Sequence, residues 1–326
     1  MGPLAVHFCA RFAGVPLREY TLNPQTLAEC VVRYCERFRP DAVWVSADTW
    51  VSAEAMGHPV AFPGPDQPLA GAGEAFLTAR ADLDRIPPPD PWRQGRYPRM
   101  IEAVARVVEA VGSETLVVAC FDQYPFSLAC ALMGMERLML ALWDDRPLVD
   151  ALLERCGEYT AAYAVALAAA GADMLSGGDS PAGLIGPRLY REVALPAEQR
   201  TIQAIHRRTA VPVSLHICGS AESILTSMSE TGADVLEIDQ QVDAAAACRL
   251  VPPEIALWGN LDPVQVLARG NPADVATTTD SLLATVRAAG RRRFVLSSGC
   301  TLAVDTPCEN LKTLIEAAHR HAAFSA

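Results

Sequence analysis

Three residues carry the sharpest chemical signal in this chain. Two of them lie in the run Val213-Ser214-Leu215-His216-Ile217-Cys218-Gly219. Side chains alternate along a strand, so His216 and Cys218 share one face and Leu215 and Ile217 the other. Their separation along the strand is roughly 6.6 Å, a gap that an imidazole and a thiolate can close onto one ion. Gly219 then permits a tight turn. A third donor must come from elsewhere, and Phe294-Val295-Leu296-Ser297-Ser298-Gly299-Cys300 is another strand-like run that ends in a cysteine. One His and two Cys suit Zn²⁺, and three protein ligands with an exchangeable fourth position suit a catalytic zinc. The spacing alone leaves a plainer reading open, because buried cysteine is a common small hydrophobe. Most of the other cysteines, among them Cys9, Cys30, Cys35, Cys130 and Cys156, fall on helix-like stretches and read as packing.

These residues need a frame that brings distant segments together. Short apolar, β-rich runs recur at 42–47, 115–121, 173–176, 211–217, 234–238, 255–258 and 293–298. Helix-like segments lie between them. Residues 97–111 place Ile101, Val104, Ala105 and Val108 at helical spacing, and 221–231 and 275–289 read similarly. Strands alternating with helices predict parallel βα units, and seven or eight such units predict an α/β fold of the (β/α)8 TIM-barrel type. No Gly-x-Gly-x-x-Gly follows the first strand, which argues against a dinucleotide-binding open sheet. Two stretches rich in proline and glycine, 57–73 and 84–98, read as excursions between the first and second strands. The expected organisation is one domain over 1–326, with residues 1–40 as an N-terminal helical extension.

Asp48, Asp122, Asp179, His216, Cys218, Asp239, Asn260 and Cys300 all sit at or just past the end of a predicted strand. In a barrel that rim carries the active site. Asp and Asn are also common wherever strands turn into loops, so it is the inclusion of one His and two Cys that favours a site.

Composition narrows the partners. The 326 residues are 51% hydrophobic and 20% charged, and the formal net charge is −11. An acidic chain is a poor ligand for nucleic acid or an anionic membrane. Lys312 is the single lysine among the 27 basic residues, which reads as a coding bias towards arginine. The opening residues lack a basic stretch followed by an apolar one, and the apolar run 160–172 falls short of the ~20 residues that span a bilayer. The expectation is a cytoplasmic protein with reduced thiols.

At these residues the chain resembles the uroporphyrinogen decarboxylase superfamily, and within it the methylcobalamin:thiol methyltransferase branch. The resemblance runs from about Val6 to His321. Matching stretches include Phe38-Arg39-Pro40-Asp41-Ala42 leading to Asp48, Glu54-Ala55-Met56-Gly57 and Tyr124-Pro125-Phe126-Ser127. Others are Ala170-Gly171-Ala172-Asp173, Gly259-Asn260-Leu261-Asp262-Pro263 and Thr306-Pro307-Cys308-Glu309-Asn310. The superfamily fold is a (β/α)8 barrel. The methyltransferase branch carries His-x-Cys and a downstream Gly-Cys as zinc ligands, here His216, Cys218 and Cys300. The decarboxylases have Gly-His where this chain has Gly299-Cys300. They also carry an arginine-rich N-terminal motif that His7-Phe8-Cys9-Ala10-Arg11-Phe12-Ala13-Gly14 does not reproduce.

The resemblance implies Zn²⁺, methylcobalamin or a protein-bound corrinoid as methyl donor, and a small thiol such as coenzyme M as acceptor. A corrinoid carrier protein is an implied partner. Asp48 matches an acid that both branches keep, and it is expected as a hydrogen-bonding catalytic residue together with Asp239. Glu237, Asp239 and Asp179 are the carboxyls that could complete the metal's coordination. The rival readings are a decarboxylase acting on a porphyrinogen or another carboxylate, and a corrinoid- or metal-binding accessory protein without turnover. A pterin or a natural-product intermediate is an alternative acceptor.

Overall fold

The computed structural model of the chain describes residues 1–71 and 76–323. All seven predicted strands form, as β1 (Ala42–Val45), β2 (Leu116–Gln123), β3 (Met174–Gly178), β4 (Ser214–Ile217), β5 (Val235–Ile238), β6 (Ala256–Leu261) and β7 (Phe294–Ser298). They pair in chain order in one curled sheet, every pairing parallel. Parallel neighbours need long crossovers, and the helices between the strands supply them.

The eighth position is filled from the other end of the chain. Residues 1–4 run in the gap between β7 and β1. Gly2 N–H donates to Leu296 O at 3.1 Å and Leu302 N–H to Leu4 O at 3.0 Å, while Asp41 N–H and Ala42 N–H both donate to Met1 O, at 3.0 and 3.2 Å. The first residues therefore belong to the barrel wall, a correction to the reading of 1–40 as a helical extension. Helices do follow, at Val6–Ala13, Leu17–Leu22 and Pro24–Phe38.

Other expectations shift in detail. The helix expected at 97–111 is Tyr97–Val111, but it buries Met100, Ala103, Val104 and Val107 and leaves Ala105 exposed. The 221–231 segment is a 3₁₀ turn (Glu222–Ile224) and a single α turn (Leu225–Met228). The 57–73 excursion contains a two-residue antiparallel pairing of Val60–Ala61 with Leu69–Ala70, and its last two residues, 72 and 73, lie outside the described residues. Among the described residues no single helix is long and apolar enough to cross a membrane.

The barrel interior changes character along its axis. Its floor is apolar, made of Leu4, Trp44, Val118, Met174, Val235 and Trp258. Trp44 and Trp258 meet edge to face with ring centroids 4.6 Å apart. Trp258 Nε1–H donates to Gly2 O at 3.0 Å, which ties the closing segment to the plug. Two to four residues further along the same strand faces the inward side chains become polar: Ser46 and Asp48, Asp122, Ser176, His216 and Cys218, Glu237 and Asp239. A closed floor under a polar mouth is how a barrel confines chemistry to one end.

One polar pair stabilises the wall in a pH-dependent way. Asp179, just past β3, and Glu198, on the helix Leu195–His206, are both fully buried. Ser127 N–H donates to one Asp179 oxygen at 2.6 Å, and Tyr190 O–H donates to Glu198 Oε2 at 2.5 Å. Asp179 Oδ2 and Glu198 Oε1 have no other partner, and a proton shared between the two side chains satisfies both. Burial pushes Asp179 up to about 6 against the hydrogen bonds it accepts. Burial, then the charge on Asp179, pushes Glu198 well above the usual carboxyl range. The folded state thus binds more protons than the unfolded chain from about pH 4 upwards, and stability falls as pH rises through about 6.

Two outcomes are expected. Trp258→Phe, which loses the bond to Gly2, should cost about 1 kcal/mol in urea unfolding, and Trp258→Ala about 3–5 kcal/mol. A Trp258→Ala protein as stable as wild type would show that the plug does not close the barrel. The wild-type unfolding midpoint should drop between pH 5 and pH 8, and Glu198→Gln, which keeps a donor towards Asp179, should flatten that drop. Identical pH profiles would rule out the shared proton.

Candidate metal centre

His216 ends in the barrel because β4 alternates: Leu215 and Ile217 point into the outer core and are almost wholly buried, which turns His216 and Cys218 inward. The register of β4 against β5 sets His216 beside Glu237. Its Nδ1 lies 3.1 Å from the backbone carbonyl of Glu237. A carbonyl can only accept, so Nδ1 carries a proton and Nε2 is the nitrogen left facing the interior. Nε2 is 3.0 Å from Cys218 Sγ.

Cys300 arrives from β7, 82 residues further on, with its Sγ 3.7 Å from that of Cys218. Two glycines make the approach possible. Gly219 turns the chain after Cys218 with φ +85°, a left-handed conformation that a side chain would strain. A Cβ on Gly299 would lie 2.3 Å from Gln240 N and 3.0 Å from the Asp239 carbonyl carbon, so only glycine lets the end of β7 close on the end of β5.

The three donor atoms lie within 4.8 Å of one another. Sulfurs at 2.3 Å from a tetrahedral Zn²⁺ stand about 3.8 Å apart, and a nitrogen at 2.05 Å stands about 3.6 Å from each. The Cys218–Cys300 distance fits at 3.7 Å, and the His216–Cys218 distance of 3.0 Å needs to open by about half an ångström. The hydrogen bond from Cys300 pulls the Cys218 thiol down to about 7 against its burial. That bond to Cys218, then burial, pushes Cys300 up to about 12. Burial works to lower His216, but its contact with Cys300 and the Glu237 carboxyl outweigh it, holding the imidazole at about 9. A divalent cation would replace the protons that these three groups share.

Glu237 supports the same reading. Its Oε1 accepts from Ser176 Oγ at 2.7 Å and from Ser214 Oγ, which places the carboxyl inside the barrel next to His216. Its Oε2 is buried with no partner. A buried carboxyl with two neutral donors and one bare oxygen is costly unless a cation or proton completes it.

The remaining expected residues fall in different places. Asp239 is buried one layer above Glu237, and its Oδ1 accepts from Gln241 N at 2.8 Å. Asp48 is not part of the metal cluster. It is ion-paired with Arg96, accepts from Thr21 Oγ1, and accepts from Trp50 N–H at 2.8 Å. Arg96 also pairs with Glu54. Asp122 sits where the register of β2 against β3 shifts, at φ +69°, a bulge that turns its side chain towards Ser52. Asp179 is committed to Glu198, as described above. Asn260 is structural, with its Nδ2 donating to Asp239 O at 3.1 Å and Val242 O at 2.8 Å. Sequence reasoning missed Arg96, which lies in the 84–98 excursion with no periodicity to mark it. It also missed Ser176 and Ser214, although their inward parity on β3 and β4 was available.

Comparison with known proteins supplies the lineage. The family model for uroporphyrinogen decarboxylase (URO-D) matches residues 1–321. The chain is 34% identical over 230 residues to the methylcobamide:CoM methyltransferase MtbA of Methanosarcina acetivorans, a match covering 70% of this chain and 65% of that protein. The match to MtbA of Methanosarcina mazei also covers 65% of the relative, so the alignable region spans slightly under two thirds of these methyltransferases. A uroporphyrinogen decarboxylase of Gloeobacter violaceus is 28% identical over 316 residues, covering 95% of this chain and 88% of the relative. Among solved structures, a methyltransferase from Methanosarcina mazei superposes with a TM-score of 0.87 at 24% identity, covering 98% of this chain and 92% of the other, which establishes the shared barrel fold. The chain is a member of the uroporphyrinogen decarboxylase family.

Proposed function

We propose that this chain is a methyltransferase that moves a methyl group from a methylated corrinoid to a small thiol, with Zn²⁺ held by His216, Cys218 and Cys300. The observation that carries the reading is the convergence of those three donors within 4.8 Å, with the imidazole's other nitrogen already fixed by the Glu237 carbonyl. Support also comes from the similarity to the methylcobamide:CoM methyltransferases of Methanosarcina. When bound, Zn²⁺ keeps an acceptor thiol deprotonated and nucleophilic near neutral pH, and the corrinoid offers the methyl group and takes up the electron pair of the broken bond.

The chain's own residues do the rest. The Glu237 carbonyl orients His216 and holds its Nδ1 proton. Ser176 and Ser214 fix the Glu237 carboxyl next to His216 and outside the three-donor group, where its negative charge would favour a bound cation. Asp239 stands nearer the mouth, likewise outside the three-donor group, with one oxygen accepting from Gln241 N. Asp48 acts at one remove, holding Arg96 and the start of the segment that follows β1. The apolar floor of Trp44 and Trp258 keeps bulk water from reaching the cluster from behind.

The decarboxylase reading draws on relatives that match nearly the whole chain. It calls for cations to hold substrate carboxylates, and among the described residues the one arginine buried at the mouth, Arg96, is already ion-paired twice.

Metal analysis of purified protein should find about one zinc per chain, and Cys218→Ala and Cys300→Ala should each lose it; if both variants keep full metal, the ligand assignment is wrong. With the zinc protein, the visible spectrum of methylcobalamin should change to that of the demethylated cofactor when a thiol is added. Glu237→Gln keeps an acceptor for both serines and removes the charge. It should weaken zinc affinity roughly tenfold to a hundredfold, measured by competition with a chromophoric chelator.

A further inference from the structure

The two sulfurs of the cluster are also a reactive pair. Cys218 Sγ and Cys300 Sγ stand 3.7 Å apart, although β5 and β6 separate β4 from β7 in the sheet. Both side chains are half-buried, within reach of a small solute, whereas Cys9, Cys30, Cys35, Cys130 and Cys156 are buried. A sulfur–sulfur bond is about 2.05 Å long, so bonding these two requires them to close by about 1.7 Å.

The local structure permits that movement from one side. β4 ends at Ile217 and β7 at Ser298, so both cysteines lie just past their strands, outside the regular ladder. Gly299 is pressed against the end of β5, where a Cβ would lie 2.3 Å from Gln240 N, and this fixes the approach of Cys300. Gly219 is different, because a Cβ there would meet nothing within 4 Å. The Cys218 N–H makes one long bond, to Ser180 Oγ at 3.3 Å. The Cys218 side of the pair is therefore the one with room to shift.

A disulfide and a shared metal ion are alternatives at this position. Two thiolates on a tetrahedral Zn²⁺ stand about 3.8 Å apart and each gives the metal an electron pair. Disulfide sulfurs are uncharged and lie at roughly half that separation.

We propose that Cys218 and Cys300 are a site of reversible oxidation, joined as a disulfide by a hydroperoxide, and that this bond and the metal exclude each other. One thiol attacks the peroxide O–O bond and becomes a sulfenic acid as water or an alcohol leaves. The second thiol displaces the hydroxyl as water, and the S–S bond forms. Each sulfur gives up one electron, the peroxide takes both, and the two thiol protons leave in the products. The bond itself rests on the sulfur geometry, and its effect on the metal rests on the zinc reading proposed above.

The test uses the full chain, reduced, stripped of metal with a chelator, treated with hydrogen peroxide and mapped by mass spectrometry. Peptides joined through Cys218 and Cys300 should appear, the intact mass should fall by two hydrogens, and dithiothreitol should reverse both. Cys218→Ser and Cys300→Ser should each abolish the link, and Cys248→Ser and Cys308→Ser should leave it. The oxidised chain should take up no zinc until reduced, and prior zinc loading should slow the oxidation by about tenfold or more. If peroxide gives sulfinic acids or links other cysteines instead, this inference is overturned, while zinc uptake lost in the Cys218→Ser and Cys300→Ser chains keeps the proposed function standing. If the link forms and the oxidised chain binds zinc as tightly as the reduced one, the exclusion and the ligand assignment are overturned together.

Discussion

The site depends on the parallel register of β4 on β5. That register places His216 directly beside Glu237. One bond follows from it, Nδ1–H to the Glu237 carbonyl, and this bond selects the tautomer whose other nitrogen faces the interior. A slip by one residue would turn His216 and Cys218 outward and bring Leu215 and Ile217 into the mouth. Because one face of each strand is packed against the outer core, the hydrophobic pattern holds the register. The apolar residues that look least relevant to chemistry therefore aim the donors.

The interior is built in layers along one axis. Tryptophans and aliphatic residues close the floor, serines and a carboxyl occupy the middle, and the donor cluster and aspartates form the rim. The floor is completed by residues 1–4, which take the place of an eighth strand and bond to β7 and β1 at once. The polar layers above it are expensive to bury, and the structure meets that cost unevenly. Asp48 has an arginine, Asp179 and Glu198 have each other, and Glu237 has two hydroxyls and one bare oxygen. The unsatisfied group belongs to the residue paired in register with His216, where the positive charge of a bound cation would offset its burial.

The strand count and the parallel arrangement were legible in the sequence because each β run is short, apolar and separated by a helical stretch. The cluster was legible as well, since period-two alternation alone puts His216 and Cys218 on one face. Boundaries drifted where local preference is weak: the 221–231 helix proved a pair of single turns, and the buried face of Tyr97–Val111 omits Ala105. Asp48 kept its place at the rim but took a partner, Arg96, from a proline-rich stretch with no periodic signal.

By itself the sequence determined which side chains carry metal-ligating donor atoms on one strand face and which faces must be buried, because both follow from side-chain chemistry and strand periodicity. Only the tertiary structure decided that Cys300 closes on Cys218, that residues 1–4 seal the barrel, and that Arg96 is consumed by Asp48 and Glu54. Those are contacts between segments tens to hundreds of residues apart. Their geometry is set by barrel closure and by close backbone approaches such as the one at Gly299, and local patterning carries no record of either.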